Sequence, residues 1–402
     1  MAWIKVDISS ANAEGEAIAF CRLVMRKSDR ANYRNDLEWI IKIAGRSAVV
    51  LFIDRDIPAF GLAFRRIRPL RFPPGGIVLF EKELHRLELG AGPVIAPDGL
   101  NDDELTNIEK WFLVAICGEL LPREVLSFEA LPVASRLHRL IVEDPEIRKS
   151  YQVLYLQKPY AHHFARLPNS FDAYLKQLSA RSRKSLQYSR NLLRRECEEN
   201  VTVACFSTAE SVEQFLNDAI EISKTTYQWQ LLGLGLRNRE ALKDLFQFAA
   251  ERGWLRCYIL YCNRTPTAFM IGYQYENCFF YIDVGYNPVW AKFSVGSVLQ
   301  WEVMEDLYRR DDTPALFDFS TGYGTHKSRF GKESREEVNM LLLPTTLSNR
   351  ALAAAWRSVD GVLDLTSRTL DNFGLKQSLK KAIRGIKIGK RVTAAEPKDR
   401  AQ

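Results

Sequence analysis

Between residues 254 and 286 the chain passes through three strand-forming runs, 254–262, 267–275 and 278–286, with only short turns between them. Links this short permit hairpins, so the three runs form an antiparallel meander. After Asn287 and Pro288 the pattern turns helical over 295–309, and beyond Asp311, Asp312, Thr313 and Pro314 it returns to strand over 315–320. A helix that links neighbouring strands makes their pairing parallel. It also leaves the strand-to-helix loop open at the strand's C-terminal end, where ligands sit in α/β sheets. The expected fold class is α/β (α+β): a mixed, mainly antiparallel sheet flanked by helices.

The first part of the chain repeats this plan. Runs 49–53 and 57–64 flank Asp54, Arg55 and Asp56, with Pro58 close behind. They predict a hairpin like the one around Asn263, Arg264, Thr265 and Pro266. Helix-like 103–118 followed by strand-like 124–129 mirrors 295–309 followed by 315–319, so two related α/β halves are expected. In the second half Asn169 or Ser170 caps a helix running through Leu175, Leu178 and Leu186. Ser207 with Glu210 makes a capping box before Val212, Phe215, Ala219 and Ile222, and Asn238 opens a helix that Gly253 ends. Leu352, Trp356, Val359, Leu363 and Leu370 predict a last helix to about Asn372. The 402 residues suffice for two or three domains, and the pattern divides them into 1–160, 161–346 and 347–402.

Charge separates the last of these from the rest. The chain carries 56 basic and 49 acidic residues, a formal charge of +7. Residues 376–402 hold nine of the basic and two of the acidic ones, so the body is neutral and the excess is a tail. There Leu375, Leu379, Ile383 and Ile386 form an apolar stripe opposite Lys380, Lys381, Arg384, Lys387, Lys390 and Arg391. Such a helix lies on an anionic membrane surface or docks on a partner. A neutral body without a nucleic-acid module does not predict nucleic-acid binding. Seven Cys without a CxxC pair, a start without a secretory pattern and no long apolar span predict a cytoplasmic protein, peripheral at the inner membrane surface through its tail. The five His show no zinc spacing, and no metal is expected.

The candidate site gathers around the loop Lys292, Phe293, Ser294, Val295, Gly296, Ser297. The first N–H groups of a helix lack internal partners and sit at the positive end of its dipole, so a phosphate is welcome there. Gly296 allows close approach, Ser297 adds a donor and Lys292 a charge; a plain capped helix is the other reading of the same residues. Beyond it, 317–327 puts Asp318 on a strand and Lys327 past a glycine-containing loop. The run Arg181, Arg183, Lys184, Arg190, Arg194, Arg195 reads either as an anion clamp or as a solvated helix face.

These segments resemble the GNAT superfamily of acyl-CoA-dependent N-acyltransferases, and more narrowly the bacterial acetyltransferases associated with cellulose and capsular polysaccharide synthesis. The matching stretches are 167–196, 281–299 (Gly-Tyr-Asn-Pro, then Ser-Val-Gly-Ser-Val-Leu) and 317–331 (Asp-Phe-Ser, Gly, Lys, Phe-Gly). The branch is similar to the Fem-type aminoacyltransferases, which also join two GNAT-like halves. The resemblance implies that acetyl-CoA or another acyl-CoA sets its pyrophosphate on Val295, Gly296, Ser297 and Val298, and lays its pantetheine along 281–286. It implies an active half at 161–346 and, because 1–160 lacks an equivalent Ser-x-Gly-Ser loop, a degenerate scaffolding half.

Transfer to an amine needs an oxyanion donor and a base. A bulge permitted by Gly285 would free a backbone N–H near Val284 or Gly285 for the first role. Asp283 and Asp318 are candidates for the second, and each also reads as an ordinary strand residue. Lys327 reads as an ion-pair partner of Asp318, a phosphate holder or plain surface, and the resemblance implies one of the first two. Tyr323 could protonate the departing thiolate, and His326 is a further base candidate by proximity. The expected function is an acyl-CoA-dependent N-acyltransferase acting by direct transfer on an amine of a polysaccharide precursor or related small molecule. The alternatives are a Fem-type aminoacyl-tRNA-dependent transferase and a non-catalytic module of a polysaccharide synthesis complex.

Overall fold

A computed structural model describes residues 3–28, 31–72, 80–226, 229, 235–320 and 325–372. The chain opens with β1 (Ile4–Val6), α1 (Ala11–Met25) and α2 (Leu37–Ala44), and then lays down β2 (Val49–Asp54), β3 (Ala59–Phe72) and β4 (Phe80–Ile95). It crosses over through α3 (Asp102–Gly118) to β5 (Glu124–Pro132). The pairings are antiparallel from β2 to β4, and β5 joins β4 in parallel. Two short helices, α4 (Arg136–Glu143) and α5 (Pro145–Ser150), lead to β6 (Tyr151–Tyr155) and β7 (Tyr160–Arg166). Next come α6 (Phe171–Gln177), α7 (Ala180–Glu196), β8 (Val201–Phe206), α8 (Val212–Thr225) and α9 (Arg239–Glu251).

The expected meander follows as β9 (Cys257–Cys262), β10 (Thr265–Tyr275) and β11 (Cys278–Tyr286). The crossover α10 (Val295–Tyr308) then brings β12 (Leu316–Asp318) into parallel register with β11. The described chain ends with α11 (Thr325–Phe330), β13 (Glu333–Pro344) and α12 (Leu347–Asn372).

Among the described residues these strands make one thirteen-stranded sheet in the order β1-β2-β3-β4-β5-β13-β7-β12-β11-β10-β9-β8, with β6 also paired to β13. Three antiparallel strands, a helix and a parallel strand occur once on each side of its middle, which is the duplication that the two hairpins hinted at. β13 joins the two sides. Its Glu333–Glu337 stretch pairs with β7, while Glu337–Leu342 pairs with β5 and Met340–Pro344 with β6.

Helices cover both faces. Tyr33 and Trp39 from the first half pack against Tyr273, each with ring centroids 5.2 Å away, and Tyr33 also meets Phe280 at 5.1 Å. One apolar cluster therefore runs from α1 and α2 to α8, α9 and the meander. On the other face α6, α7 and α10 close over β9–β12.

Two local expectations fail for identifiable reasons. The helix expected from Ser170 through Leu186 breaks at Leu178 and Ser179, both extended at ψ 148°. Leu178 is thereby sunk into the core, and Ser179 caps α7 by accepting the Ser182 N–H at 3.2 Å. The Ser207–Glu210 capping box does not form. Residues 207–210 are a turn held by Ser211, whose Oγ accepts from the Thr208 N–H at 3.2 Å and donates to the Thr208 carbonyl at 2.8 Å.

Candidate active site

The site begins where β12 stops. β12 pairs with only Cys278, Phe279 and Phe280 of β11, which runs on to Tyr286 with no strand on that edge among the described residues. Asp318 helps to end β12: its carboxylate accepts the Ser320 N–H at 2.6 Å, and Ser320 takes a left-handed φ of 55°, which a continuing strand does not have. The gap is a cleft of about 380 Å³ walled by Tyr281, Val284 and Gly285 of β11, by Val295 and Gly296 of α10, and by Phe330.

At the head of this cleft α10 starts without a side-chain cap. Ser294 is left-handed, at φ 55° and ψ 40°, and its carbonyl accepts the N–H groups of Ser297 at 2.8 Å and Val298 at 3.1 Å. No hydrogen bond among the described residues uses the N–H of Val295 or Gly296. A Cβ on Gly296 would touch nothing closer than the Tyr286 ring at 3.5 Å, so packing alone does not demand glycine here. The corresponding turn of the first half is shut: Asn101 and Glu104 form a reciprocal capping box at the start of α3, whose first turn carries Asp102, Asp103 and Glu104. Such a helix start repels an anion.

Two members of the expected phosphate loop fall elsewhere. Lys292 is exposed, 3.6 Å from Glu196 and over the Phe293 ring, and does not line the cleft. Val298 is buried in the core with its N–H spent on Ser294. Within the basic run, Arg183 donates to the carbonyls of Leu175 and Leu178, and Arg190 binds Glu302 and Glu305. Those two guanidiniums serve helix packing rather than an anion clamp.

The bulge in β11 lies at Ile282, three residues before Gly285. Glycine is required at 285 because a Cβ there would come within 2.4 Å of the Phe269 ring. Val284 nevertheless has its N–H bonded outside the ladder: the Asp283 carboxylate accepts it at 2.8 Å. Asp283 has an exposed side chain flanked by dense protein, and that burial pushes its pKa up. The bond from Val284 and the Lys327 ammonium oppose the rise, and the exposure limits it.

Asp318 is placed differently. Alternation along the strand points Phe317 and Phe319 into the cluster beneath α10, whereas Asp318 faces the wall of a separate groove of about 1200 Å³, together with Phe164, Arg166 and Arg335. Its Oδ1 is already engaged. The His162 ring, between β12 and β13, reaches the Asp318 carboxylate at 2.6 Å and the Glu337 carboxylate at 2.8 Å, and Glu337 also accepts from Arg335 at 2.7 Å. Burial opposes the charge on His162, but the two carboxylates outweigh it and raise its pKa to about 9. The ring is thus an imidazolium that donates from both nitrogens. Asp318 is likewise raised by burial, yet its bond to His162 prevails and its pKa is lowered.

Lys327 bridges the two regions. Its ammonium donates to the Ser320 carbonyl at 3.2 Å and lies 5.9 Å from the Tyr281 ring. Burial lowers its pKa, and the charges of Asp318 and Asp283 hold it up. Tyr323 and the side chain of His326 lie outside the described residues.

Sequence reasoning missed His162, Glu337 and Gln300. His162 was visible only as half of a His-His pair, and Glu337 as one acid in a strand of alternating charge. Gln300 is 3% exposed on α10, lines the cleft, and has no partner for either amide atom among the described residues.

Residues 154–328 match the family model of the acetyltransferase (GNAT) domain. No curated protein sequence matches the chain. Among solved structures, FemX has a similar fold at 10% identity and a TM-score of 0.56, covering 87% of this chain and 99% of that one. A conserved protein of unknown function from Bacteroides thetaiotaomicron is similar at 14% identity and a TM-score of 0.51, covering 85% and 100%. β11 and α10, the two main walls of the cleft, accordingly lie within the stretch that matches the acetyltransferase (GNAT) domain, set in a large, mainly antiparallel sheet flanked by helices.

Proposed function

We propose that the protein is an acyl-CoA-dependent N-acyltransferase, with acetyl-CoA or a longer acyl-CoA as donor and an amine of a polysaccharide precursor or related small molecule as acceptor. One observation carries this reading: an open strand edge and two unused N–H groups at a helix start face the same cleft. The helix start suits a phosphate, and the edge suits an extended arm bearing amides. In the transfer the amine nitrogen attacks the thioester carbonyl carbon, negative charge builds on its oxygen, and collapse breaks the C–S bond. The thiolate leaves and takes up a proton, and the amine's proton passes to a base.

Asp283 is our candidate for that base, since it is reachable and its pKa is raised. Once protonated it accepts hydrogen bonds more weakly, which frees the Val284 N–H for the oxyanion. Lys327 adds positive charge nearby. Asp318 acts as a positioning residue, holding the turn that opens the edge. Tyr323, outside the described residues, is our candidate for proton delivery to the thiolate. The wide groove beside Asp318, with Arg166 and Arg335 in its wall, is our candidate path for the acceptor. Residues 161–346 would form the catalytic unit and 1–160 its scaffold.

The direct test is a thermal melt with acetyl-CoA and longer acyl-CoAs. A ligand at a hundredfold its Kd adds about 2.7 kcal/mol to the folded state. No rise with any acyl-CoA at millimolar concentration sinks the reading. The fold similarity to FemX favours a second reading, transfer from aminoacyl-tRNA, which predicts binding of charged tRNA; no binding at low salt removes it.

We further propose that the basic stretch 376–402, outside the described residues, rests on anionic membrane. No helix among the described residues is long and apolar enough to cross one. Anionic vesicles should float the full chain and leave behind a chain ending at Asn372. Equal flotation of both rules the proposal out.

A further inference from the structure

We infer that Gln300 reads the amide-bearing arm of the acyl donor, an inference that rests on the acyl-CoA reading above. The carboxamide is buried, yet neither its oxygen nor its nitrogen has a hydrogen-bond partner among the described residues. A buried polar group left unpaired is destabilising, and buried side-chain amides are otherwise almost always paired. Its surroundings indicate where the missing partner enters. Gln300 lines the cleft and stands four residues after Gly296, which puts the two on the same helix face one turn apart. A ligand with a phosphate on the Val295 and Gly296 N–H groups would pass Gln300 about 6 Å deeper along α10.

Across the cleft, the edge of β11 from Tyr281 to Tyr286, which no strand among the described residues pairs, offers backbone donors and acceptors in alternation. A carboxamide presents one acceptor and two donors. Together with the strand edge it complements the N–H and C=O of a secondary amide from both sides, which a thioester carrier with amides in its arm supplies and an aminoacyl ester of RNA does not. Gln300 is thus a specificity residue, separate from the groups that bind phosphate and from those that move protons.

The test compares the full chain with Gln300→Met and Gln300→Leu, which keep the volume and remove the polar atoms. Calorimetric titrations use two probes: acetyl-CoA, and adenosine 3′,5′-bisphosphate, which keeps the nucleotide end and lacks the arm. The unliganded variants should melt at or above the wild-type temperature, because two unpaired groups are gone. Acetyl-CoA should bind them at least tenfold more weakly, while the bisphosphate binds all three proteins alike. Equal acetyl-CoA affinity in wild type and variants overturns the inference, as does an equal loss for both probes, which would mark a merely structural residue. If the wild type binds the bisphosphate but gains nothing from the arm, the inference fails while the nucleotide site stands. If the wild type binds neither probe, the acyl-CoA reading falls and takes this one with it.

Discussion

Replacing His162 with alanine is expected to destabilise the protein by roughly 3–5 kcal/mol, the usual consequence of removing one partner from a buried charged pair. Asp318 and Glu337 would then face each other across a cavity with no imidazolium between them, one 8% and the other 0% exposed. For a chain of this length unfolding as one unit, the melting temperature should fall by about 4–6 °C. The pH dependence is more diagnostic. The folded pKa of His162, about 9, lies above the ordinary 6.5, so folding binds a proton. Its stabilisation is complete below pH 6.5 and is lost as the pH rises through 9. Melts taken from pH 6.5 to 9.5 should therefore show the wild type losing its advantage over His162→Ala. Parallel curves across that range would mean that the ring is neutral and the network is not ionic.

Asp283→Asn is expected to lower kcat by 10²- to 10⁴-fold, the range associated with a positioned general base. Asparagine keeps an oxygen to accept the Val284 N–H, so the local backbone should hold and acyl-CoA affinity should change little. The limb of the pH–rate profile set by Asp283 should sit above the ordinary carboxylate range and disappear in the variant. Asp318→Asn should behave otherwise, losing stability through His162 before it loses rate. A variant at 283 with wild-type kcat, or loss of the same limb on changing 318 alone, would reverse the assignment of the two carboxylates.

The sequence made the meander, the α10 crossover and the parallel return legible, because short links and hydrophobic periodicity are local properties. The start of α10 was legible for the same reason. Lys292 and Val298 were misassigned because loop membership does not say which way a side chain turns. The side that Asp318 faces was hidden by strand alternation: one residue of register decides whether a carboxylate faces the cleft or the opposite groove. His162 and Glu337 were invisible because their meeting depends on β13 crossing the sheet, a contact between residues 175 positions apart. Gln300 left no trace in any pattern, since an unpartnered amide is a property of its surroundings.

β13 also sets the limits of the functional unit. The region recognisable as an acetyltransferase domain ends at residue 328, before β13 begins, so by itself it lacks Glu337 and the strand that β7 leans on. Val338, Met340 and Leu342 of the same strand are buried in the apolar cluster of the first half. One strand thus belongs to two neighbourhoods, tied to the charge network at its start and to the opposite half at its end. Removing the first half would unseat the strand on which His162 depends, whatever else that half does.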